Sequence, residues 1–535
     1  MRRKVFLLLA LLISVGLVIT ACAQGNNSAN TTVEKINRDE LVVAIGGEPE
    51  DGFDPTTGWG RYGSPLFQST LLKRDKDMNI INDLATAYEV SPDGLRWTVK
   101  IRNDIKFSDG EPLTAKDVAF TFNTAAGSGS VVDLANLQKA EAIDNETVVF
   151  TLKEPQSTFI NLLISLGIVP EHAYDDNYRE NPLGSGPYKL VQWYKGQQLI
   201  VEANPYYYGP EPYFKKITFL FLSEDAAFAA AQAGQADVVS IPAAFAQKAV
   251  PGMKLVEVPS VDNRGIMFPM VPAGGKTEDG NPLGNDVTSD IAIRKAINVA
   301  IDRQALVDGV LEGFGTPAFT VCDGLPWWNP ETVFKDNDPE KAKQLLADGG
   351  WQDSDNDGIL EKGNLKAEFS LLYPASDQTR QSLAIAVADM LKPLGIKINV
   401  EGKSWDEIYK KCYSEAVLYG WGSHSPMEMY NLYSSTRKGI NSYNPGHYSN
   451  ETVDEYMEKA LRALSEEEAI TYWQKAQWDG ATGLSFHGDA PWAWLVNLHH
   501  LYLVNEKLDI GTPKIEPHGH GWPITDNIVE WKWYE

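Results

Sequence analysis

Cysteine is scarce. The 535-residue chain has three, Cys22, Cys322 and Cys412, which excludes a small disulfide-dense scaffold. A bridge between Cys322 and Cys412 and two separate buried thiols both fit that count. Positive charge is also short: 47 Lys and Arg stand against 72 Asp and Glu, a formal charge of −25. Nucleic acid and anionic membrane surfaces repel such a chain, so no nucleic-acid partner is expected. Past the first two dozen residues no apolar run approaches the ~20 residues that span a bilayer. The common hydrolase signatures are missing as well. There is no His-Glu-x-x-His and no Gly-x-Ser-x-Gly. Gly274-Gly275-Lys276-Thr277 resembles the end of a phosphate loop, but Met270 stands where a glycine is needed. Carboxylates are plentiful without any pair standing out, so a secreted hydrolase is kept as the alternative of a different class.

What is present starts with a basic and apolar leader. Arg2, Arg3 and Lys4 precede an apolar run from Val5 to Val18, closed by Ile19-Thr20-Ala21-Cys22. This pattern predicts a secretory signal over 1–21, too short for a comfortable span. Cysteine at the first mature position resembles the lipobox of bacterial lipoproteins. Lipidation of Cys22 would tether the chain to the extracytoplasmic face of a bacterial membrane. Residues 22–39 are small and polar and read as a flexible tether. The remainder is too long for one core and implies two or three lobes. Strands are expected at Glu40–Gly46, Trp97–Arg102, Thr147–Leu152 and Ile396–Val400. Helices are expected at Thr114–Thr124 with Thr114 as N-cap, at Ala226–Ala233, as a pair over Asp290–Leu311, at Pro339–Gly349 and at Thr379–Leu394. Strands and helices mix throughout without a short repeat, so the class is α/β to α+β.

Several segments in order carry a resemblance. Ser91-Pro92-Asp93-Gly94 with Trp97, then Lys106-Phe107-Ser108-Asp109-Gly110 and Leu113-Thr114-Ala115-Lys116-Asp117-Val118, come first. Gly184-Ser185-Gly186-Pro187-Tyr188, Asn204-Pro205-Tyr206-Tyr207-Tyr208-Gly209, Ile293-Arg294-Lys295-Ala296-Ile297 and Asp338-Pro339-Glu340-Lys341-Ala342 follow. Together they resemble the family 5 extracellular solute-binding proteins, the binding components of peptide and nickel ABC importers. The Asp-Gly and Gly-x-Gly-Pro pieces have a physical role as turns and scaffold. The resemblance implies an α/β, two-lobed periplasmic-binding-protein-like fold with a subdomain inserted in the first lobe. It suggests lobe I at 40–270 with a return at 487–535, and lobe II at 271–486. It also implies permease subunits of an importer as partners, and a ligand captured by closure of the lobes rather than turned over.

The ligand site is sought among residues that could meet at such a cleft. Seven of eight histidines follow residue 420, and imidazole suits nickel, copper and zinc. His424 lies in Trp421-Gly422-Ser423-His424-Ser425-Pro426, where the family places ligand-contacting residues. His499 and His500 lie in a strand-like stretch whose alternation turns at most one of them to the cleft. Peptide binders of the family often carry an aspartate after the tryptophan. Ser423-His424 in that place favours a nickel ion or nickel chelate, or a different polar solute, as transported cargo, with no resident cofactor. A di- or oligopeptide is the alternative. Arg61 or Arg264 is expected to grip a ligand carboxylate, and Trp59, Tyr62, Trp421 and Tyr430 to form aromatic walls. The same residue types also serve as core aromatics and structural arginines. Metal affinity is expected to fall as pH drops through the ordinary imidazole range. Finally, Asp353-Ser354-Asp355-Asn356-Asp357-Gly358 imitates the start of a calcium loop. Its twelfth position is Asn364 rather than a bidentate Glu, and although Glu361 could compensate, the segment reads as a surface turn.

Overall fold

The computed structural model describes residues 39–49, 51–63, 65–440, 443–519 and 521–534. The expected signal segment and Cys22 lie outside them, as does the tether apart from Asp39. Asp39–Glu535 form one folded unit, and its helices start where short polar side chains can satisfy free amides. Thr114 and Asp117 make a reciprocal capping box at the helix Ala115–Gly127. Asp290, Asp302, Asp338 and Asp377 cap Ile291–Ala300, Arg303–Val310, Pro339–Asp348 and Gln378–Leu391 in turn. The expected Asp290–Leu311 pair is therefore two helices, broken where Asp302 caps the second.

The main sheet has eleven strands. Its order is Lys397–Lys403, Glu368–Pro374, Ala416–Trp421, Met253–Met267, Trp492–Asn505, Val238–Ile241, Glu40–Ala44, Lys216–Leu220, Gln198–Ala203 and Tyr188–Tyr194, with Gly315–Pro317 pairing beside Trp492–Asn505. A separate sheet of four antiparallel strands, Ala85–Val90, Arg96–Ile101, Thr147–Leu152 and Leu137–Ala142, packs with the helix Ala115–Gly127. Trp97, Val99, Phe122, Phe150 and Phe159 are buried in the core of this module.

Two strands are much longer than the rest. Met253–Met267 and Trp492–Asn505 run antiparallel and tie distinct cores together. Val258, Tyr502 and Val504 pack with Leu41, Phe53, Phe67 and Phe219. Farther along the same strands, Ile266, Leu495 and Val496 pack with Ile293, Ile297, Phe369 and Leu418. Pairing slips between Pro259 and Asn263, and again between Arg264 and Gly265. Irregular pairing of this kind bends and twists a strand locally. The changeover between cores thus falls within two continuous strands, with a break in register beside it. Cys322 and Cys412 are both buried free thiols, so they do not bridge.

Candidate functional site

A cavity of about 230 Å³ opens beside the crossing strands. One wall comes from the segment after the first strand and includes Trp59, Arg61 and Tyr62. The four-stranded module adds Asp133, Thr158 and Asn161. The opposite wall is the loop and helix after Ala416–Trp421, with Trp421, Ser423, His424 and Glu428. Lys514, Glu516 and Asp526 of the C-terminal segment complete the lining.

Local chemistry positions these groups. The Trp59 indole donates to the Pro65 carbonyl at 2.7 Å and meets Phe53 and Trp522 edge-on, which fixes it to the core. Arg61 is exposed, and its guanidinium lies 4.7 Å from the centre of the Tyr62 ring. No carboxylate pairs with Arg61 among the described residues. Burial, and then the nearby Glu428, raise the Tyr62 hydroxyl pKa. Gly422 ends the strand Ala416–Trp421, and a Cβ there would sit 2.5 Å from the Val261 carbonyl oxygen. Only glycine lets this loop press so closely against the crossing strand. The amides of Gly422 and Ser423 then donate to the two oxygens of Glu428, at 3.2 and 3.0 Å. Burial outweighs those two bonds and pushes the Glu428 carboxyl up to about 7.

His424 follows on the same loop. Its carbonyl accepts from Arg74 at 3.2 Å, while its ring Nε2 is buried with no hydrogen-bond partner. Burial, then Lys514 and Arg74, lower the imidazole to about 3. The ring is neutral over the whole physiological range, with a lone pair to offer. The expected loss of metal affinity between pH 7 and 5 therefore does not apply to this residue.

Four other sequence candidates lie away from the cavity lining. Arg264 is buried against Asp262 and also donates to the Asn263 carbonyl at 2.8 Å. Its charge is used inside the protein. Tyr430 is buried in a core cluster with Met429, Leu432 and Tyr433, and its hydroxyl donates to Glu458 at 2.7 Å. His499 is held by Glu257. His500 contacts Glu516 at 2.5 Å and Asp262 at 3.2 Å through its two ring nitrogens. Burial alone would lower the His500 pKa, but those two carboxylates prevail and raise it to about 9. A protonated imidazole has no lone pair for a metal. Of the three proposed metal-ligating histidines, only His424 lines the cavity, so the two-histidine centre is not assembled.

Sequence reasoning missed Glu428. It sits in Pro426-Met427-Glu428-Met429, with no motif to mark it beyond a single acid among apolar neighbours. It also missed Lys514 and Asp526, which pair at 2.8 Å in the lining. Further contacts join the four-stranded module to residues 437–462. Arg437 pairs with Asp133 at 2.7 Å, and Arg462 with Glu154 at 2.9 Å. The Ser157 amide and hydroxyl donate to the Leu461 and Ala460 carbonyls at 2.7 and 2.8 Å.

A mixed α/β fold built on one large sheet, with distinct cores joined by two long strands, is that of the two-lobed periplasmic-type solute-binding proteins. The sequence matches the description "Bacterial extracellular solute-binding proteins, family 5 Middle" over residues 79–443. The chain belongs to this family of extracellular solute-binding proteins. It is 31% identical to Protein XP55 of Streptomyces lividans over 494 residues, 89% of this chain and 87% of the relative. NikZ of Campylobacter jejuni, solved in complex with Ni(L-His), is similar with a TM-score of 0.80 at 25% identity, covering 93% of this chain and 100% of NikZ. AppA of Bacillus subtilis, an oligopeptide-binding protein solved with a nonapeptide, is similar with a TM-score of 0.72 at 26% identity, covering 93% of this chain and 99% of AppA. Proteins of this family are the substrate-binding components of ABC importers and work outside the cytoplasm with permease and ATPase subunits. The chain is a transport protein, not an enzyme. No helix among the described residues is long and apolar enough to cross a membrane.

Proposed function

We propose that the cargo is a nickel ion carried by a small carboxylate-bearing chelator, such as a free amino acid. The observation behind this reading is the company of two groups in one cavity: the Arg61 guanidinium, without an ion pair among the described residues, and the neutral His424 imidazole, whose Nε2 has no hydrogen-bond partner among them. The guanidinium suits a chelator carboxylate and the imidazole suits the metal. With one histidine at hand, the chelator must fill most of the coordination sphere. The likeness to NikZ with its Ni(L-His) supports the same reading. Closure of lobe I, 40–270 with 487–535, onto lobe II, 271–486, would seal the cargo, and lipid on Cys22 would hold the protein beside its permease.

A short peptide is the second reading, favoured by Glu428. Its buried carboxylate offers a partner for a peptide ammonium, a role the sequence left empty. Calorimetry on the full chain separates the two. Nickel with free histidine should bind at least tenfold more tightly than nickel alone. His424→Ala and Arg61→Ala should each weaken that complex by tenfold or more (about 1.4 kcal/mol). Unchanged affinity in both variants would overturn the nickel-chelate reading. Tight metal-free binding of a dipeptide, lost in Glu428→Gln, would put the peptide in its place.

A further inference from the structure

The segment that reads as a surface turn folds into something more specific. Asp353, Asp355, Asp357 and Glu361 each offer an oxygen, and these four atoms lie within 4.8 Å of one another. The three aspartates are exposed, whereas Glu361 is only 8% exposed. One Glu361 oxygen accepts from the Ser354 amide and hydroxyl, both at 2.8 Å. The other, Oε1, is buried with no hydrogen-bond partner. A buried carboxylate oxygen left this way is costly unless a cation answers it.

Lys366 supplies part of that answer. Its ammonium contacts Asp357, approaches Asp355 at 3.3 Å and stands 3.7 Å from Glu361 Oε1. One positive charge faces four carboxylates, and the lysine side chain is 41% exposed, free to swing into water. An ammonium among converging oxygens marks where a cation is wanted. Carboxylates at loop positions one, three and five, a glycine at six and an acid at nine match the ligand order of a calcium loop. Gly358 has φ +86° there, and its amide donates to Asp353 at 3.1 Å.

We propose that the loop Asp353–Glu361 is a calcium site, separate from the solute cavity, in which the ion displaces the Lys366 ammonium. Hard oxygen donors select calcium over the softer transition ions. Asn364 at the twelfth position withholds the usual bidentate carboxylate, so the affinity belongs to the weak extracellular class, Kd of about 10⁻⁴–10⁻³ M. That range suits a protein working outside the cytoplasm. The ion would fasten the short hairpin of Glu361–Lys362 with Leu365–Lys366 to the turn that follows the helix Pro339–Asp348.

The test uses the full chain stripped with EDTA. Calorimetry with calcium should show one site in that range, and ten times Kd should raise the melting temperature by about one degree. Asp355→Asn, a surface change, should abolish both signals. Lys366→Met should tighten calcium binding several-fold by removing the competing ammonium. Arg61→Ala should leave the calcium response intact, which separates this site from the solute cavity. No binding at about 10 mM calcium in either wild type or Lys366→Met would overturn the proposal. So would binding by Lys366→Met alone, since lysine would then be the resident cation. An equal response to magnesium would also overturn it, as general screening of acidic charge.

Discussion

The cavity wall and the strand crossing behind it use the same residue types in opposite ways. At the crossing the charges pair with one another, although Arg264 Nε and Glu516 Oε1 are buried without a hydrogen bond and Glu516 also lines the cavity. Asp262 is buried among Arg264, His500 and His518, and His500 reaches on to Glu516, which also accepts from the Tyr502 hydroxyl at 2.8 Å. Burial would raise the Asp262 carboxyl, but Arg264 and the two histidines hold it well below the usual range. At the wall, no ion pair to Arg61 occurs among the described residues, His424 Nε2 has no hydrogen-bond partner among them, and Glu428, which feels the Arg61 charge, is pushed up to about 7 by burial. The network at the crossing ties the two long strands to the C-terminal segment. A histidine is informative here through its neighbours rather than its presence.

The largest effect that can break this comparison is expected from Asp262→Ala. It strands buried positive charge, which costs about 3–5 kcal/mol. Equilibrium denaturation reads it directly. A loss below about 1 kcal/mol, the scale of a surface pair, would show that the network does not hold the crossing.

Glu428→Gln sharpens the contrast from the other side. The folded carboxyl titrates at about 7 against an ordinary 4.5. The folded state therefore holds the proton more tightly than the unfolded chain. Its contribution is fully present below pH 4.5 and is lost as pH rises through 7. Glutamine cannot ionise and escapes that loss. Relative to wild type, the variant should gain about 2–3 kcal/mol between pH 4 and pH 8. Parallel stability curves across that range would contradict the burial argument.

The smallest effect is expected from Arg437→Ala, which removes the partly exposed pair with Asp133 across the cleft. A pair of this exposure contributes about 0.2–1 kcal/mol. Solute affinity should fall only a few-fold, and solution scattering should show a slightly more open particle. Unchanged affinity and unchanged scattering would mean that the pair plays no part in closure.

Much of the frame was legible because its signals are local. Thr114 marks its helix through an acid three residues on, and the strand Trp97–Arg102 declares itself by alternation. The membership of the family was legible from turns kept in order. The cavity lining was legible only where one segment makes it: Trp59, Arg61 and Tyr62 on one wall, Trp421, Ser423 and His424 on the other. His500 was misjudged because its partner Asp262 is 238 residues away in sequence. Nothing near either residue announces the pairing. Arg264 failed for the same reason in reverse, since its partner is two residues away but the burial that makes the pair binding is not written locally. Glu428 was overlooked because its role depends on two amides turned toward it by Gly422.

The two tryptophans of the cavity differ in one atom's fate. The Trp59 indole nitrogen is tied to a carbonyl, while that of Trp421 is buried without a partner. Both rings line the cavity. They are two of fifteen tryptophans, so their optical response to a solute is isolated by comparing wild type with Trp59→Phe and Trp421→Phe.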